Sequence, residues 1–181
     1  MKTRRYFNTA AVCAVLRMRV DSTASAADQK QPIAEAVARI VEAREKTEDY
    51  VLQVKQRFKP GTPDYHEGRN LYVDAMSKQN AWVALVKVSI QNGKKKNLDK
   101  DERYRSLAAA AEQATQVFIR FVQTKTGTSP DRALAIPLVA GTGLSIWNAI
   151  KDTKQQSRDA EAERFEKEVR WKNWDAIVAT P

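Results

Sequence analysis

Residues 32–58 read PIAEAVARIVEAREKTEDYVLQVKQRF, and this stretch decides the fold. Ile33, Val37, Ile40, Val41, Val51, Val54 and Phe58 return at helical spacing and fall on one face. Pro32 suits a first helical turn, where its missing N–H would be unpaired anyway. On the opposite face Glu35/Arg39 and Glu42/Lys46 place an acid four residues before a base, the favourable order. Lys59-Pro60-Gly61-Thr62-Pro63 then breaks the helix.

The same period continues outward. Tyr65, Tyr72, Met76, Trp82, Val83, Val86 and Ile90 give a second stripe over residues 63–92. Thr62 is placed to cap it, Pro63 to open it and Gly93 to end it. Lys94-Lys95-Lys96-Asn97 reads as a solvated loop. Asp99 or Asp101 caps a third helix, which runs to about Thr126 through Tyr104, Leu107, Ala108, Ala111, Val117, Phe118, Phe121 and Val122. The small side chains from Ala108 to Ala111 let a neighbouring helix come close. No alternating strand pattern competes, and Asn92-Gly93 follows a helical stripe instead of linking two strands. The expected architecture is all-α: an antiparallel helical bundle of about four helices with a long amphipathic C-terminal helix.

Composition sets outer limits. The chain has 181 residues, enough for one domain with or without a leader. Gly and Pro number six each, too few for a collagen-like or turn-rich β protein. A single Cys excludes an internal disulfide framework or a multi-cysteine zinc site, and a single His excludes chemistry that needs two. The formal charge is +9.

Residues 1–26 differ from the rest. Lys2, Arg4 and Arg5 form a basic head, Thr9 to Leu16 is apolar, and Ala24-Ser25-Ala26 has the small-x-small pattern of a signal-peptidase site. Cleavage is expected after Ala26, leaving residues 27–181 as one helical domain. Thr3-Arg4-Arg5-Tyr6-Phe7 resembles the twin-arginine export motif and departs from it at Asn8 and Thr9. The resemblance implies export to the periplasm or beyond. The alternative is a basic tail on a cytoplasmic protein. The leader's five bases and one acid account for four of the nine net charges, leaving +5 on the remainder.

Residues 133–150 (ALAIPLVAGTGLSIWNAI) carry no charge. A segment apolar all round is a buried helix, a membrane contact or a partner-binding element. Buried core is the first reading. Gly141-Thr142-Gly143 lacks the residues of a phosphate loop and suits close backbone packing, with Gly141 and Ser145 as a small-xxx-small pair. Residues 151–181 form a charged amphipathic arm. Trp171 and Trp174 beside Arg170 and Lys172 suit either a hydrophobic clasp on the bundle or a lipid interface.

No reactive constellation stands out. His66 has no second ligand at helical spacing, so no metal or other cofactor is implied. Asp159, Glu161, Glu163, Glu166 and Glu168 alternate with bases and read as a solvated face. Lys94–Lys96 is followed by Asp99, Asp101 and Glu102, which argues against nucleic acid as a partner. The sequence therefore points to an exported, non-enzymatic helical-bundle protein of the bacterial cell envelope, with a structural role or a protein partner, self-association included. The alternative is a membrane-docked protein that contacts lipid through residues 133–150 and the tryptophan end. The candidate contact residues are Leu138, Val139, Leu144, Ile146, Trp147, Trp171 and Trp174.

Overall fold

The computed structural model describes residues 26–127 and 139–179. They form six α-helices and no strand: α1 (Ala26–Arg57), α2 (Pro63–Asn92), α3 (Glu102–Thr126), α4 (Val139–Ile150), α5 (Gln155–Val169) and α6 (Trp174–Val178). The protein is all-α, as the periodicity requires. Two 3-10 turns, Gly93–Lys95 and Leu98–Lys100, link α2 to α3.

The helix ends follow local chemistry. Thr62 caps α2 by accepting from the Tyr65 N–H at 3.4 Å, and Pro63 occupies the first turn. Asp101 caps α3, accepting from the N–H groups of Arg103 at 3.0 Å and Tyr104 at 3.3 Å. Gly127 ends α3 with φ +71°, in the left-handed region that a side chain disfavours. α1 begins at Ala26, ahead of Pro32, where the sequence places its start.

α2 is the axis of the molecule and packs against each of the other helices. α2 and α3 run in opposite senses: Asp64 meets Lys125, Tyr72 meets Phe118 and Gln79 meets Thr115 along the pair. Trp82, Tyr72, Tyr104, Phe118 and Trp174 are the largest fully buried side chains. The core stripe of α1 does not lapse between Val41 and Val51. Thr47 and Tyr50 fill the gap, and the Thr47 hydroxyl donates to the Ala43 carbonyl at 2.7 Å. Buried Gln79 and Thr115 bond each other at 3.2 Å, so neither is a stranded polar group.

Two features differ from the sequence reading. The 94–97 stretch is not simply a solvated loop, because the fully buried Leu98 anchors the link beside it. The C-terminal arm is not one long helix. It breaks at residues 170–173, where the chain is extended, and then resumes as α6. The reason is that Trp171 and Trp174 both enter the core, at 5% and 2% exposure. Trp171 stacks near Tyr72, and Trp174 meets Tyr65 edge-on at 5.7 Å. The break gives up helical hydrogen bonds, and α2 replaces them. Asn80 accepts from the Trp171 N–H at 2.9 Å and donates to its carbonyl at 3.3 Å. The Tyr72 hydroxyl donates to the Lys172 carbonyl at 2.8 Å. From α1, Arg44 donates to the Glu168 carbonyl at 2.6 Å.

Gly143 sets how closely α4 can approach. A Cβ there would lie 2.8 Å from Trp82 Cζ2 and would collide with the Tyr104 hydroxyl. Gly141 and Ser145, the pair expected to make the close contact, are exposed instead.

Gly143→Ala is expected to destabilise the protein by about 2 kcal/mol through overpacking, read as a shifted urea midpoint. Asn80→Ala is expected to cost about 1–3 kcal/mol, because it strands the backbone of Trp171. Amide exchange should rise in residues 170–178 before it rises in α2 or α3.

Candidate functional site: the basic end of the bundle

The end of the molecule where α2 stops is built from two connections that the fold brings together. Gly93, with φ +55°, lets the turn after α4 press against it. A Cβ on Gly93 would lie 2.8 Å from the Lys151 carbonyl and 2.9 Å from Arg158 Nε. Gln155 donates to the Gln91 carbonyl at 3.1 Å, and Arg158 reaches the same carbonyl at 3.4 Å. Arg158 also donates to the Thr153 carbonyl and to Gln155 Oε1. Lys94 pairs with Asp152 across the junction at 2.8 Å.

This assembly concentrates charge. Residues 94–105 and 151–159 contain nine bases and five acids. They therefore carry four of the five net charges found outside residues 1–26. The carboxylates do not simply cancel the lysines. Asp101 turns inward to cap α3 and also pairs with Lys96 at 3.3 Å. Burial opposes its ionisation, but the Tyr104 N–H and Lys96 outweigh that and hold its carboxyl below the usual range. Asp152 is taken up by Lys94. Lys95, Lys100, Arg103, Arg105 and Lys154 are exposed and have no ionic partner among the described residues. Asp99 and Glu102 are the exposed acids beside them. α5 opens here on Lys154 with no side-chain cap and no acid in its first turn, so its positive pole is not neutralised locally.

The residues singled out from sequence lie elsewhere. Ile146, Trp147, Trp171 and Trp174 are inside the core, and Leu144 is half-buried. Val139 opens α4. Leu138 lies outside the described residues, as do Arg4, Arg5 and Ala24; Ala26 is the first residue of α1. Trp171 and Trp174 thus take the clasp arrangement. His66 is exposed beside the Tyr65 ring. Among the described residues no group of His, Cys, Asp and Glu is placed to hold a metal ion. Two of the α5 acids are held by Lys87, Glu163 at 2.7 Å and Glu166 at 2.6 Å, which raises the lysine's pKa.

A small cavity of about 190 Å³ lies between α1 and the C-terminal segment, lined by Glu45, Glu48, Asp49, Leu52, Lys172 and Ile177. Glu48 is bonded there to Lys172 at 2.9 Å and paired with Arg44 at 3.4 Å. The Glu48 carboxylate is therefore engaged in holding the C-terminal segment. Burial pushes the Tyr104 hydroxyl up to about 12 and the Tyr72 hydroxyl higher still. Both remain neutral hydrogen-bond donors in the core near neutral pH.

The sequence reading missed the basic end because it compared neighbours along the chain. The usable signal was Lys151-Asp152-Thr153-Lys154, a second basic turn that reads as nothing until it is set against Lys94–Lys96. No family model, curated protein or solved structure matches the chain.

The depressed pKa of Asp101 makes stability pH-dependent. Its contribution is present above the unfolded carboxyl value near ~3.9 and is lost as pH falls through the lower folded value. Asp101→Asn keeps an equivalent cap but removes the charge. Its urea midpoint should lie below that of the wild type at pH 6, by no more than about 1 kcal/mol in stability. The gap should narrow progressively as the pH is taken below about 4.

Proposed function

We propose that this is a non-enzymatic, exported helical-bundle protein of the bacterial cell envelope, acting through an interaction surface or a structural role. The observation that carries the reading is the contrast between the inside and one end. Aromatic side chains are committed to a continuous core, while cations gather at the α2–α3 and α4–α5 junctions. Such a distribution suits a rigid body that presents charge to a partner. The leader pattern around Arg4, Arg5 and Ala24-Ser25-Ala26 supports export.

Lipid contact through residues 133–150 and the Trp171/Trp174 end has less support. Ile146, Trp147, Trp171 and Trp174 would have to leave the core to reach a bilayer. No helix among the described residues is long and apolar enough to cross a membrane.

Fractionation of the native cells with N-terminal sequencing tests the export reading. A first residue of Ala27 in the envelope fraction is the expected result. Met1 on a cytosolic protein would overturn it.

A further inference from the structure

We propose that the basic end is an electrostatic docking surface for an anionic lipid bilayer, with the protein lying on the headgroups and not inserting. This rests on the proposed interaction role and names the partner's chemistry, whatever the export route.

Three observations select this partner. First, the cations are available. Lys95, Lys100, Arg103, Arg105 and Lys154 are exposed and lack ionic partners among the described residues, while Asp101 and Asp152 are consumed by the cap and by Lys94. Second, three of these five bases, Lys95, Lys100 and Lys154, are lysines. Ammonium groups on flexible stems act as point charges and need no fixed fork geometry, which suits a laterally mobile layer of headgroups. Third, no exposed aromatic stands among them. Tyr104 and Trp147, the aromatic residues at this end, are buried, so the bases of a single-stranded nucleic acid would find no stacking platform.

Position argues the same way. Of the two C-terminal tryptophans, Trp174 packs on Tyr65, in the first turn of α2, and Trp171 near Tyr72, whereas the basic end begins at Gly93. At 1.5 Å per residue these contacts lie about 30–40 Å from the basic end along α2. A contact at the basic end therefore leaves the clasp intact and requires no unfolding.

Vesicle flotation of the full chain tests this. The vesicles are phosphatidylcholine alone or phosphatidylcholine with about one-third phosphatidylglycerol, at low and high salt. The wild type is expected to float with the anionic vesicles at low salt only. Lys95→Gln with Lys100→Gln should lower partitioning about 25-fold, at about fivefold per cation. Arg57→Gln with Lys59→Gln, two exposed bases at the opposite end, should change it by less than about twofold. All variants keep the leader, so its bases cannot produce the difference, and circular dichroism checks that each is folded. Equal binding of the Lys95/Lys100 variant and the wild type would overturn the proposal. So would salt-insensitive binding to neutral vesicles, or binding to a short DNA duplex without binding to vesicles. None of these outcomes bears on the N-terminal residue, so the export reading stands or falls separately.

Discussion

The fold depends on how α2 grips the main chain of the C-terminal segment. A chain that leaves a helix exposes backbone groups, and burying them unpaired is costly. Here the carboxamide of Asn80 supplies both a donor and an acceptor to Trp171, much as a neighbouring strand would. Tyr72 and Arg44 satisfy the carbonyls on either side. With that demand met, residues 170–173 can run extended, and two indoles three positions apart can both enter the core. In a continuous helix they would share one face, but the extended run lets Trp171 lie by Tyr72 while Trp174 reaches Tyr65.

Much of the helical layout was legible in the sequence because it is local. The bounds of α2 follow from Thr62, Pro63 and Gly93, and the start of α3 from Asp101. What was hidden depends on distant partners. The break after Val169 is made by side chains about ninety to one hundred and twenty-six positions earlier in the chain. The middle of α1 looked polar because Thr47 pairs with its own helix and Arg44 serves the C-terminal segment. Which glycine mattered in α4 was equally hidden, since Gly143 is fixed by Tyr104 and Trp82 on other helices.

Charge shows the same limit in another form. Along the chain, Lys94–Lys96 is answered by three acids within a few residues. In the fold, one of those acids serves a helix start, and a second basic turn arrives from more than fifty positions away. Net charge in a window of sequence is thus a poor guide to the potential at a surface. The helix start matters as much as the count, because a capping carboxylate has its negative charge already offset by backbone N–H groups.

The grip on the C-terminal segment has an evolutionary consequence. Arg44, Tyr72 and Asn80 touch peptide atoms of residues 168–172 and not the side chains of Glu168, Arg170 or Lys172 that contribute those atoms. Positions 168 and 170 are therefore free to drift in identity without loosening the hold, whereas Lys172 is tied besides through Glu48, and proline is the residue least tolerated at 171 because it removes the N–H that Asn80 accepts. The segment offers a place where new surface chemistry can be acquired while its attachment stays the same.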